Sequence, residues 1–327
     1  MKKKKNKIIC VVGFIALSIV IFGVVAVITT YNEPINQVVA KVTLSEEYTA
    51  EEGQARVESI KRIQDTSKDY SVIVVGDSVC QYLFESVEED NPSYLFVGSS
   101  RPFTIAGQYV QIKEFIDYHP NAREVYMVEG ISTWESILDT QGGYQQLMVP
   151  LIETETINDL DEETIDYAKH NYSSLFMTYP FAKMVNHSNV CRKLILNSIM
   201  FYHQDIRGED TSALFESTPG EISPLNQHYL KKIIQLCEEN NITLHIIHDP
   251  VSNTEQSKED VSKEREMFDN AGYSDSKYAD EYINSVLYYP EEYFVDGTHI
   301  VRERELENTI VQQMKDKTRT MNDLVIK

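Results

Sequence analysis

Three side chains have the types that acyl transfer through a serine requires. Ser78 follows Gly76-Asp77 at the end of the apolar run 72–75. Asp296 and His299 stand three residues apart in Phe294-Val295-Asp296-Gly297-Thr298-His299. A serine hydroxyl is a weak nucleophile and needs a base beside it. A histidine accepts the proton and later returns it to the leaving group. An aspartate holds the imidazole in the needed tautomer. Ser78 is thus the expected nucleophile, His299 the base and Asp296 its partner, with Asp77 holding the turn through backbone amides. The competing reading makes Ser78 a turn serine that caps the next helix.

Such groups must be delivered to one place by the elements before them. Apolar runs at 70–75, 94–97, 124–128 and 243–247 read as strands, and each ends in a polar or glycine-bearing group: Gly76-Asp77-Ser78, Gly98-Ser99-Ser100, Glu129–Ser132 and His248-Asp249. A short run at 293–295 leads into Asp296–His299. Between them lie helical patterns: Ile105, Tyr109, Ile112 and Ile116; then Tyr229, Leu230, Ile233, Ile234 and Cys237 after Ser223-Pro224; then Leu306, Ile310, Val311 and Met314 within 302–315. Continuous apolar strands alternating with helices imply an α/β domain whose parallel sheet is covered on both faces. Ligands of such sheets bind outside the C-terminal strand ends, so the five marked segments converge there. Glu129, His248, Ser99 and Asp77 are therefore candidate pocket residues. His245 and His248 are a poor metal pair, because their odd spacing on a strand points them to opposite faces, and no metal or cofactor is expected.

Gly-Asp-Ser after the first strand and Asp-x-x-His near the C-terminus together resemble the SGNH (GDSL-type) hydrolase superfamily. The likeness runs from about residue 70 to the end, with a poorly matching middle. It implies a three-layer flavodoxin-like domain, an acyl-serine intermediate, and an oxyanion hole from the backbone N–H groups of Ser78 and Gly98. This chain departs from the family after its third strand. A typical member has Gly-x-Asn-Asp there; this chain has Gly130-Ile131-Ser132-Thr133. Ser132 stands where the oxyanion-binding Asn would be, and a missing donor of that kind costs about 2.7–4 kcal/mol in a protease case. Trp134 and Tyr144 are candidates for stacking on sugar rings, with packing as the plainer reading.

The N-terminus sets the location. Lys2–Lys5 and Lys7 precede a charge-free apolar run from Ile8 to Ile28. Its 21 residues match the roughly 20 that cross a bilayer. The expectation is an uncleaved single-pass anchor over residues 1–30, its N-terminus cytoplasmic by the positive-inside rule. A stalk and lead-in helix over 31–68 would follow, then the hydrolase-like domain over 69–327, with an insertion at about 135–222 serving as a lid. Net charge is −21; removing the five N-terminal lysines leaves −26 for the rest. So acidic a surface disfavours nucleic acid, which needs a basic footprint. Cys80, Cys191 and Cys237 lie beyond the anchor, allowing one disulfide at most and offering no metal spacing.

The leading expectation is an extracellular esterase or acyltransferase acting on an O-acylated cell-surface glycan or polymer, working beside a membrane-bound O-acyltransferase. One alternative is an SGNH-fold scaffold with little activity, favoured by the altered Asn-Asp pair. Another is a lipid-ester hydrolase, disfavoured by the acidic ectodomain.

Overall fold

The computed structural model describes residues 2–43, 51–84, 87–98, 104–136, 147–171, 177–192, 213–215, 218–296, 299–300 and 304–316. Its centre is a parallel sheet of four strands: β1 (Val72–Gly76), β2 (Tyr94–Phe96), β3 (Glu124–Glu129) and β4 (Thr243–His248), in the order β2-β1-β3-β4. The protein is a mixed α/β fold, as the alternation of patterns implied.

Alternate residues of each strand feed two separate cores. Ile73, Val75, Leu95, Val125, Met127, Leu244 and Ile246 belong to one. They pack with α5 (Ile105–Tyr118) and α10 (Pro224–Glu239), through Val110, Ile112, Phe115, Leu230 and Ile233. Val72, Val74, Tyr94, Phe96, Tyr126 and Val128 belong to the other, with Leu83 and Phe84 of α4 (Ser78–Phe84) and Leu306 and Val311 of α13 (Arg304–Asp316). A strand buried on both faces has no polar side to show, so β1 reads Val-Ile-Val-Val-Gly without alternation. Helix α10 starts where Ser223-Pro224 put it: Ser223 Oγ accepts from Asn226 N at 3.2 Å and Pro224 takes the first helical position.

The chain leaves β1 for β2 on one side and returns to β3 on the other. Such a reversal opens a crevice between the C-terminal ends of the two inner strands, here β1 and β3. Beyond β4, a two-residue strand β5 (Val251–Ser252) pairs in parallel with β6 (Tyr288–Tyr289). Between them lie α11 (Glu255–Asn270) and α12 (Lys277–Asn284). The last strand thus lies upstream of the expected run 293–295. There the chain makes a 3-10 turn, Glu291–Tyr293, and an antiparallel bridge from Phe294 to Ile300.

The N-terminal half differs more. Helix α1 (Lys2–Tyr31) contains Val12–Tyr31, which is long and apolar enough to cross a membrane. Residues 31–42, expected as a stalk, are largely a helix, α2 (Glu33–Thr43), docked on the domain. The lead-in helix is α3 (Glu51–Ile63). After β3 come α6 (Ile131–Glu135), α7 (Val149–Glu153), α8 (Glu162–Asn171) and α9 (Tyr179–His187). Helix α7 packs on α3 and α9, and α9 on α1 and α3. The described part of the expected lid therefore joins α1 and α3 to the domain; residues 137–146, 172–176, 193–212 and 216–217 of that stretch, Tyr144 included, lie outside the described residues.

Gly76 holds the sheet and α4 at close quarters. A Cβ there would stand 2.3 Å from Val128 O and 2.6 Å from Cys80 Cβ. Neither backbone nor buried thiol can yield cheaply. Gly76→Ala should destabilise the domain by about 3 kcal/mol or more, read as a lowered urea midpoint. An unchanged midpoint would contradict this packing.

Candidate active site

The turn after β1 presents Ser78 at the start of α4. Asp77 caps that helix: its Oδ1 accepts from Val79 N at 2.8 Å and its main-chain oxygen accepts from Gln81 N at 3.1 Å. Asp77 thus ties the turn to the first backbone N–H groups of α4.

His299 arrives from the other end of the chain, 221 residues away. Its Nε2 lies 2.9 Å from Ser78 Oγ, and its Nδ1 lies 2.8 Å from Asp296 Oδ2. Asp296 Oδ1 also accepts from the His299 main-chain N at 2.8 Å, and Val295 N donates to His299 O at 2.8 Å. The Phe294–Ile300 bridge closes this loop. With Nδ1–H directed at Asp296, Nε2 is left as the acceptor that faces the serine hydroxyl. Ser78, His299 and Asp296 thus form one hydrogen-bonded chain. Asp296 is exposed, so water and salt weaken its hold on the ring.

Gly98 lies against the same helix. A Cβ on it would stand 2.3 Å from Gln81 N, one turn beyond Ser78. This close approach explains the glycine and brings the end of β2 beside the helix that Ser78 opens. Ser132 is exposed on the first turn of α6, while Thr133 is buried. Ser99 lies outside the described residues. Trp134 is fully buried and meets Phe268 and Tyr282 edge-on, so it is core, not a platform for sugars. Cys80, Cys191 and Cys237 are buried and unpaired.

Glu129 and His248, expected to line a pocket, are buried, 0% and 2% exposed. His248 Nδ1 lies 2.6 Å from the Asp249 main-chain oxygen and 2.8 Å from Asp249 Oδ1. Its Nε2 lies 3.1 Å from Glu264 Oε2, and Tyr282 donates to the same oxygen at 2.5 Å while stacking on the imidazole at 4.8 Å. Burial acts against the charge on His248, but Asp249 and Glu264 outweigh it and push the imidazole up to about 10. Asp249 in turn crowds Gly130, where a Cβ would stand 2.7 Å from Asp249 Oδ2. Burial, and then the charge of Asp249, push Asp77 up to about 7. Burial, and then the charge of Asp77, push Glu129 well above the usual carboxylate range. Glu264 escaped sequence reading because α11 is charged almost throughout. Its one signal is its place on the buried stripe Val261, Glu264, Met267 and Phe268.

No family model matches the chain, and no curated protein matches it. A solved structure from Streptococcus pneumonia, provisionally described as a platelet activating factor, is similar over 81% of this chain and 92% of that one, with 11% identity and a TM-score of 0.38. So slight a likeness carries no argument about the site.

The buried acids have a consequence for stability. Asp77 binds its proton more tightly folded than unfolded, so its contribution to stability falls as pH rises from about 4 toward its folded value of about 7. Glu129 and Asp249, also raised by burial, act in the same sense. Asp77→Asn keeps an oxygen for Val79 N and removes the charge. Urea midpoints should fall between about pH 5 and about pH 7.5 in the wild type, and fall less in the variant. Parallel pH profiles would mean that Asp77 does not titrate in that range.

Proposed function

We propose that this chain is a membrane-anchored, serine-dependent acyl esterase or acyltransferase of SGNH type. The observation that carries the reading is the chain of hydrogen bonds from Ser78 through His299 to Asp296. Its place at the C-terminal end of β1, beside the reversal in strand order, agrees with where open parallel sheets bind ligands. A core on each sheet face is compatible with the flavodoxin-like layering of that superfamily.

In this reading an acyl ester enters beside Ser78. His299 Nε2 takes the hydroxyl proton as Oγ attacks the carbonyl carbon, and the carbonyl oxygen becomes an oxyanion. The backbone N–H groups of Ser78 and Gly98, with Ser132 at the usual Asn position, are the proposed donors to it. Collapse breaks the ester bond, and His299 returns its proton to the departing alcohol. Water then hydrolyses the acyl-serine, or a sugar hydroxyl accepts the acyl group, with His299 again as base. The substrate class proposed is an O-acylated surface glycan or polymer, and the partner a membrane-bound O-acyltransferase. The apolar α1, with its lysine-rich tip, supports a single-pass location with the domain outside.

A fluorophosphonate probe and p-nitrophenyl acetate test this on the full chain in detergent. Ser78→Ala should abolish labelling and lower turnover by about 10³-fold or more, at an unchanged melting temperature. Asp296→Asn should cost less, about 10²-fold, because the carboxylate is exposed. Equal rates for wild type and Ser78→Ala would exclude serine catalysis, and inertness to probe and ester alike would favour the scaffold reading.

A further inference from the structure

Helix α2 turns a polar side chain to the domain. The side chain it buries completely, among those described, is Asn36, which donates to His187 O at 2.8 Å and accepts from Asn189 N at 2.9 Å. Its apolar Ile35 and Val38 are 40% and 62% exposed, while Val39 is half-buried. A surface helix in water does the opposite. The helix begins one residue after α1, where Asn32 Oδ1 accepts from Ile35 N at 3.2 Å.

Helix α9 continues the same surface. Ala182, Val185 and Asn186 face inward, Tyr179 is exposed, and Phe181 and Met184 are half-buried. Lys183 Nζ lies 5.2 Å from the ring centre of Tyr31, the last residue of α1, and 5.9 Å from that of Tyr179. Tyrosine rings and a lysine with an extended stem are what a water–lipid boundary selects at the end of a span.

The depth follows from helix geometry. Phe22, Val25, Ala26 and Thr29 share one face of α1 that is turned to the domain, and Thr29 Oγ1 lies 2.6 Å from Ser188 Oγ just beyond α9. At 1.5 Å per residue, Phe22 sits about 9 Å below Ile28, where the charge-free run ends. With α1 across the bilayer, whatever packs beside these turns cannot stand clear of the lipid. Interfacial helices bury their apolar faces about 5–10 Å into the headgroup–acyl boundary.

We infer that α2 and α9 seat the domain on the bilayer, with Ile35, Val38, Tyr179 and Phe181 immersed in the leaflet that α1 leaves at Tyr31. The inference rests on the reading of α1 as a membrane span. Its occupant is the lipid surface itself, by continuity with the span and by the exposed apolar side chains of α2. Seated in this way, the active site works at a fixed height, on acyl esters carried at the membrane surface and not on distant ones reached by a swinging tether.

Nitroxide labels read this directly in full-length protein in phosphatidylcholine nanodiscs. Cys10→Ala removes the thiol in α1, and the other three cysteines are buried. Single labels are placed at Val38→Cys, Tyr179→Cys, Ile15→Cys within the span and Gln256→Cys on the exposed start of α11. Collision with oxygen, which prefers lipid, is compared with collision with a water-soluble nickel chelate. The oxygen-to-nickel ratio at 38 and 179 should be severalfold above that at 256 and below that at 15. A lipid reading at 15 with water readings at 38 and 179 would overturn the seating and leave the anchor intact. A water reading at 15 would remove the anchor and the seating together. Labels at 38 and 179 shielded from both reagents would mean a protein partner or a second copy covers the face, and would also overturn it.

Discussion

The short turn from Gly76 to Ser78 is the constraint on which the rest of the site depends. A strand must end and a helix begin within one residue, while β3 passes within van der Waals reach of the same point. Only a glycine admits the Val128 carbonyl and the Cys80 side chain so closely. Only a short acceptor such as Asp77 can cap the helix from inside the turn. With these two residues in place, Ser78 has one direction to face, toward the loop that the Phe294–Ile300 bridge closes around His299.

That turn is held over an electrostatically expensive interior. Asp77, Glu129, Asp249 and Glu264 are all buried, and Asp249 and Glu264 flank the His248 imidazole. Four carboxylates cannot all ionise against one cation in a low-dielectric space. Burial pushes Glu129 well above the usual carboxylate range and raises Asp249 too, while Asp249 and Glu264, which flank His248, push its imidazole up to about 10. Asp77 is left near the middle of its titration at neutral pH. Stability and the rigidity of the nucleophile's turn are therefore linked to the same few protons. His299, hydrogen-bonded to Ser78, is partly exposed to solvent.

The N-terminal elements add a second constraint. A stalk would leave the domain free to move relative to α1. Instead Thr29, Ser188, Asn36, His187 and Asn189 knit α1, α2 and the end of α9 together through hydrogen bonds. His187 continues the network to Glu153 of α7 at 2.7 Å, and α7 packs on α3. The apolar helix is thus built into the domain and not merely attached to it.

Much of this was legible along the chain because its signals are local. The four apolar runs became the four strands within about two residues, and Ser223-Pro224 opened its helix. The order Ser, Asp, His and the glycines at 76 and 98 marked the site, since turns and close approaches leave residue-type signatures. Tertiary structure alone decided what depends on distance between segments. It brought Ser78 and His299, 221 positions apart, to 2.9 Å. It buried Glu129 and His248, and it set Glu264 of a charged helix against the buried His248 imidazole. It also turned a presumed stalk into a docked helix with its polar residue inward. The reason is the same in each case: periodicity records which face of one element is buried, but not which partner buries it. A lone Asn or Glu on the buried face looks like noise until the group that it satisfies is in place.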